Sequence, residues 1–533
     1  MGKKHRLAAL LSAGAAAVSL SLASTGPAQA RTLAAGTGAG QDAAAAPATA
    51  SCPASDGTQP PAPPRSHDAD LEDVAVVSAC DVWAVGRSEP TDSTSQLLIE
   101  HWTGGGSWTA VTIPGPDAGR SAELTSVSAV SATDVWAAGE YLDGHATPLI
   151  LHWDGSAWTP QTTGPGDTTG AVTALPSGEA WAVGGRTILH RDSNGWAPAT
   201  LPPDPDLAHL LLFGVTATSA SNAWAVGRIA STGTPVILHW DGSDWTRNRT
   251  LPDGSYSLSG VSAVSATDAW AVGNTFNNRG EAPVTLHWDG SSWKIIASPD
   301  PGTGDLANDA LRDVTVISAS NAWAVGFYTN PTGRSLLLHW DGMNWAQVPA
   351  PHSGVADLLF GVAAGPAGTI WTAGQSVDNS GMSHSTAWVF GTVPNVIGDS
   401  QAAAADAMNS AGLGATVTSV TTAGGGCGPA ANGTIIATTP PAGTFTTPPV
   451  TMTFCDFPPV VTVPNVVGLA DDQAQGTLAN AGLTTGTITL SGNCDFPPGT
   501  VIRQNPTVGT SLNRGSAVNL IEATPPKPHG CAQ

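Results

Sequence analysis

The chain has 533 residues, with 41 acidic against 19 basic side chains and a formal charge of −22 at neutral pH. Its few lysines and arginines form no cluster, so nothing could neutralise a phosphate backbone, and nucleic acid is excluded as a partner. The length leaves room for one large domain and one or two small ones.

The N-terminus reads as a targeting segment. Lys3, Lys4 and Arg6 are followed by an apolar stretch from Leu7 to Leu22 and by Ala28-Gln29-Ala30, a small-residue cleavage site. That order predicts a secretory signal peptide over 1–30, cut after Ala30. Its loss removes three positive charges and moves the formal charge from −22 to −25. No other segment approaches the ~18 apolar residues of a membrane helix, so the mature chain is expected to carry no membrane span. The expected location is extracellular, at or beyond the cell wall. Residues 31–66 are an Ala/Pro-rich leader without periodicity.

From about His67 a tryptophan-marked phrase begins to recur. Its clearest copy runs Ser265-Ala-Thr-Asp-Ala-Trp270-Ala-Val-Gly273, then, after a variable stretch, Thr285-Leu-His-Trp288-Asp-Gly-Ser-Ser-Trp293. The first tryptophan recurs at Trp83, Trp136, Trp181, Trp224, Trp270, Trp323 and Trp371, which is 288 residues over six intervals, a mean period of 48. Within the unit from Leu311, residues 313–317, 322–325, 335–340 and 345–348 each read as a short strand bounded by turn residues. Four strands per period make one blade, so 67–392 is expected to be a seven-bladed β-propeller. In Ala269-Trp270-Ala271-Val272 the bulky side chains fall on one face and the alanines on the other. The tryptophans are therefore expected to form the core between blades.

Two turns barely change among the copies: Ser-Ala-Thr-Asp or Ser-Ala-Ser-Asn, and Trp-Asp-Gly. The other connections vary, as at 274–282, 327–334, 300–310 and 202–209. In a meander these emerge at one edge, so one face of the disc is uniform and the other carries the diversity. Loops on a rigid scaffold are where binding usually resides. The variable face, with Asp300, Asp305, Asp309 and Glu281, is the candidate surface. The seventh unit has no Trp-Asp-Gly turn and no evident fourth strand, and the segment after Cys52 is the expected replacement, clipped by Cys52–Cys80.

The repeats resemble the tryptophan-rich propeller repeats of secreted bacterial proteins. The Trp-Asp-Gly turn is similar to the end of a WD40 blade and to the Asp-box of sialidases. It lacks the Gly-His of the first, and its glycine directly follows the aspartate unlike the second, so neither carries a function across.

Beyond the repeats, Val393-Pro-Asn-Val396 and Val463-Pro-Asn-Val466 open two related copies. Ala404, Met408 and Ala411, and likewise Ala474, Leu478 and Ala481, form an apolar stripe at helical spacing. Gly412 and Gly482 follow as helix stops. Strands are expected after them, as in 499–506 and 517–521. These copies resemble the PASTA module of penicillin-binding proteins and bacterial membrane Ser/Thr kinases, over 393–457 and 462–524, leaving 525–533 as a tail. In the first copy Thr439-Pro440 stands where the family has Gln-x-Pro. The resemblance implies a small α+β fold and contact with peptidoglycan. Spacers that merely hold the propeller away from a surface are the alternative.

Six cysteines in an exported chain suggest three disulfides, with fifteen pairings open to sequence alone. The local pairing Cys52–Cys80, Cys427–Cys455 and Cys494–Cys531 is expected. The last two would staple equivalent places in the two modules, each loop stabilising by about 3 to 4 kcal/mol.

His101, His152, His190, His239, His287 and His339 precede or match the blade tryptophan in different blades. They lie too far apart to share a metal and are expected to be packed or hydrogen-bonded between blades. No Gly-x-Ser-x-Gly, His-Glu-x-x-His or phosphate-binding loop occurs. No catalytic, cofactor or metal residue is therefore assigned. The expected function is an exported, non-catalytic binding protein, its modules on peptidoglycan and its propeller loops on a glycan or protein partner. Two alternatives stand beside it: a secreted hydrolase or lyase built on the variable loops, and an adhesion factor without cell-wall affinity.

Overall fold

A computed structural model describes residues 68–525, apart from 92–93, 105–107, 114–119, 143–145, 164–168, 278–279, 303–306, 414, 422–432 and 457–459. The expected signal peptide with its cleavage site at Ala30, the expected leader, Asp305 and Cys52, Cys427 and Cys531 lie outside the described residues. Cys80, Cys455 and Cys494 lie among them, and no described cysteine is a free thiol.

Antiparallel four-stranded meanders follow one another through the repeats, the fifth with a short parallel strand, Ala307–Asn308, added beside Gly280 and Glu281. The first is Asp68–Ser78, Asp81–Thr91, Thr94–Trp102 and Trp108–Ala110; the sixth is Ala310–Ser318, Asn321–Thr329, Gly333–Trp340 and Trp345–Gln347. The innermost strand of each sheet packs on that of the next, and Asp68–Ser78 also packs on Ala356–Ala364 of the seventh, so the sheets close into a propeller. Buried side chains bridge the junctions. Asp73 accepts from Val74 N within its own strand and from Val127 N of the second sheet, at 2.7 and 2.8 Å. Asp313 does the same with Val314 N and Val362 N of the seventh sheet, at 2.8 and 2.9 Å.

The tryptophans fill the space between sheets. Trp83 meets Trp153 and Trp158 of the second sheet at 5.0 and 5.4 Å between ring centroids. Trp270 meets Trp340 and Trp345 of the sixth at 4.8 and 5.0 Å. Trp371 of the seventh sheet meets Trp102 and Trp108 of the first at 6.3 and 6.1 Å. One indole edge against another is a favoured aromatic geometry, and each such residue hides a large apolar area.

The glycine that ends the phrase has a steric cause. Six sheets carry a bulge in the innermost strand, at Glu72, Thr125, Phe213, Ser259, Arg312 and Phe360. The bulge drives a carbonyl onto the opposing strand, and a Cβ at Gly273 would stand 1.9 Å from Ser257 O. No side chain fits there.

The seventh sheet is completed from the first PASTA-like module. Ser383–Thr392 pairs with Ile370–Val377 on one edge and, at Gly391 and Thr392, with Thr446 and Phe445 on the other. One continuous strand therefore serves both folds. Phe445 stacks on Trp323 of the sixth sheet at 4.3 Å and lies parallel to Phe390 at 5.8 Å, where the other junctions have a tryptophan. The expectation that the segment after Cys52 fills this edge falls on residues outside those described.

Each module has a ten-residue helix, α1 (Gln401–Ser410) and α2 (Asp471–Asn480). The two three-stranded sheets share one strand order, Ala415–Thr421, Val450–Asp456, Ile435–Thr439 in the first and Thr484–Gly492, Ala517–Thr524, Val501–Asn505 in the second. Gly412 and Gly482 take φ of +70° and +76°, the left-handed stop expected of them. The second module has its own core of Val463, Val466, Ala474, Leu478, Leu483, Val501, Val518 and Leu520. Gln504 closes it, accepting from Val466 N at 2.8 Å and donating to Pro464 O at 2.9 Å. By contact density the chain forms two compact units, and α1 and Thr439–Thr451 show that the first module is not cleanly separate: Ala405–Thr416 and Thr439–Thr451 belong to the propeller's unit.

Candidate functional site

The two recurring turns account for the uniform face. Asp289 Oδ1 accepts from Ser291 N, Ser291 Oγ and Ser292 N at 2.9, 2.6 and 2.9 Å. Gly290 then takes φ +87°, and a Cβ there would meet Thr267 of the other turn at 3.0 Å. The Trp288 indole donates to Ala266 O at 3.0 Å, tying the two turns together, and Trp153, Trp240 and Trp340 repeat that bond. These side chains are consumed by structure.

The histidines are consumed too, by stacking and bonding within the blade, and His190 also packs between blades, 6.2 Å from Trp240 of the fourth sheet. His101 stacks on Trp83 of its own sheet at 3.7 Å and bonds Asp81 at 2.8 Å. His152 and His287 bond Asp134 and Asp268, both at 2.9 Å. His239 and His339 bond Asn222 and Asn321, and burial lowers both of their pKa values. His190 stacks on Trp181 at 3.9 Å, with Glu179 3.6 Å away. The stacking ties each ring to the indole one strand away, because the two residues are register partners, as Trp270 and His287 are. Among the described residues no group of three or more His, Cys, Asp or Glu is arranged to hold a metal.

On the variable face the expected acids divide. Asp309 is fully buried, accepts from Thr329 N at 2.8 Å, and has its pKa pushed up to about 6 by burial and by neighbouring Asp300. Burial raises Glu281 as well, against the pull of Arg312 and Arg228. These two guanidiniums lie over Phe327 and Phe213, at 5.3 and 5.8 Å from the ring centroids. Burial lowers the Arg312 pKa, against the pull of Glu72 of the first sheet and of Glu281.

A denser cluster escapes sequence reasoning. Arg87 donates through Nε to Asp70 and through an amino group to Glu123 of the second sheet, both at 3.1 Å. Glu140 is the direct cross-strand partner of Glu123. It is only 6% exposed and has no hydrogen-bond or ion-pair partner among the described residues. Burial, then the charge of Glu123, pushes its pKa up to about 7. Burial also raises Asp70 and Glu123, while Arg87 opposes the shift in both. The signal was available in the position after the phrase glycine, which reads Arg87, Glu140, Arg228, Asn274, Phe327 and Gln375 in six copies. It is the most varied position next to the least varied one.

The model of the PASTA domain matches residues 391–451 and 461–523. Two PASTA domains thus close the chain. Among solved structures, YCF48 bound to D1 peptide is similar at 16% identity, over 62% of this chain and 94% of that one, with a TM-score of 0.42. The WD40 β-propeller domain of Doa1 is similar at 11% identity over 60% and 94%, with a TM-score of 0.40. The extracellular region of the Ser/Thr kinase PrkC from Staphylococcus aureus is similar at 27% identity; the match spans 25% of this chain and about half of that one, 46%, with a TM-score of 0.17. No curated protein matches the chain. Among the described residues no helix is long and apolar enough to cross a membrane.

Proposed function

We propose that the chain is an exported, non-catalytic binding protein of the cell envelope, built as a seven-bladed propeller over 67–392 and two PASTA domains over 393–457 and 462–524. The observation that carries this reading is the pair of PASTA domains directly behind a propeller. PASTA domains suggest peptidoglycan-type ligands, and the propeller's two faces differ in that one is consumed by turns and the other carries varied polar side chains. The modules contact peptidoglycan, and the variable face takes a glycan or protein partner. Export through residues 1–30, with cleavage after Ala30, and the disulfides Cys52–Cys80, Cys427–Cys455 and Cys494–Cys531 belong to the same proposal, since thiols pair in an oxidising compartment.

The test is co-sedimentation with purified peptidoglycan. Because one strand serves both propeller and first module, the informative comparison is residues 31–533 against 31–457, not a cut at 392. Retention of the full chain and weaker retention without the second module are expected. No retention of either would sink the cell-wall reading.

A further inference from the structure

We infer that the junction of the first and second sheets, at the variable edge, is a site for a primary ammonium group. Asp70 and Glu123 share the Arg87 guanidinium there, and Glu140 stands beside Glu123 as its cross-strand partner. Arg87 donates to one oxygen of Asp70 and to one of Glu123. Among the described residues Asp70 Oδ1 is buried without a hydrogen-bond partner, and Glu140, nine-tenths buried, has none. A carboxylate buried beside another carboxylate is costly unless a cation arrives. The cluster is reachable from solvent, with the side chains of Arg87 and Glu123 33% and 15% exposed.

The chemistry selects an N–H donor over a metal ion. A metal needs several oxygens converging on one point at about 2.0 to 2.6 Å, and no such group exists among the described residues. Arg87 already demonstrates that N–H donors fit, at 3.1 Å. An ammonium needs no such shell: its N–H donors can be shared by two neighbouring carboxylates, Glu123 and Glu140. The site rests on reading the variable face as the binding surface, and it names the partner's chemistry: a lysine side chain, or the free amine of a peptide or amino sugar.

Binding should depend on pH, because Glu140 must ionise to receive the cation. The charged group that acts on it directly is Glu123; Arg87 and Asp70 act on Glu123 in turn, and Glu72 and Glu89 act on Arg87 and Asp70. Calorimetric titration of the full chain with N-acetyl-lysinamide probes the side-chain ammonium, and glycinamide the α-ammonium. N-acetyl-norleucinamide is the uncharged control and calcium chloride the metal control. Binding of at least one amine, about tenfold tighter at pH 8 than at pH 5, with proton release at pH 7, is expected. Glu140→Gln should weaken it about tenfold at pH 8 and abolish the proton release, while its melting temperature at pH 8 holds or rises. Equal binding by the norleucine control, unchanged binding by Glu140→Gln, no binding by either amine, or a response to calcium alone would each overturn the inference. Peptidoglycan retention is expected to be the same for Glu140→Gln as for the wild type, so the two readings fail separately.

Discussion

At the scale of single residues, the chain keeps apart side chains that hold the ring and side chains that are left under strain. Asp73 and Asp313 are buried yet accept backbone N–H groups from two sheets, which suits an ionised carboxylate. Glu140 is buried with no such donors, and its pKa stands at about 7 against an ordinary 4.5. The folded chain therefore holds that proton more tightly than the unfolded chain does. Its contribution to stability is full below about pH 4.5 and is lost as pH rises through about 7. Glu140→Gln should leave stability unchanged at pH 4 and raise it at pH 8, by on the order of 1 kcal/mol once screening at the partly solvated rim is allowed for. Urea titrations at the two pH values check this, and an equal effect at both would show that Glu140 does not titrate as argued.

At the scale of elements, the strand Ser383–Thr392 is the joint of the molecule. It ends the propeller's last sheet and begins the first module's pairing with Phe445 and Thr446. Phe445→Ala should cost about 2 kcal/mol, since it removes an aromatic contact with both Trp323 and Phe390. A chain ending at residue 392 should melt below one ending at 457, and equal melting temperatures would refute the shared-strand account. The repeated elements were legible because tryptophan, glycine and the two turns recur with a period. Phe445 has no period to betray it. Its trace is a comparison between copies: Gly443-Thr444-Phe445 stands where the second module has Gly509-Thr510-Ser511. Ser511 is exposed, whereas Phe445 has a tryptophan to cover. The cluster around Glu140 was hidden for the opposite reason, since its members lie 17 to 70 positions apart and only strand pairing assembles them.

At the scale of the whole molecule, closure decides how stability is shared. In an open array the terminal repeat has one neighbour, and a substitution in its outward interface costs little. In a ring every interface has two sides. Trp371 joins the seventh sheet to the first through Trp102 and Trp108, as Trp224 joins the fourth to the fifth through Trp288 and Trp293 at 5.4 and 5.5 Å. Both are buried, at 4% and 1% exposure. Truncating either to alanine leaves a cavity and strands the opposing indoles, a loss of about 3 to 5 kcal/mol. Closure thus predicts similar losses for Trp371→Ala and Trp224→Ala in denaturant titrations of the full chain, with one cooperative transition in each. If Trp371→Ala costs less than half of what Trp224→Ala costs, the junction between the last and first sheets carries no comparable load. The propeller would then behave as an open stack, with its free end at the sheet that shares its strand with the first PASTA domain.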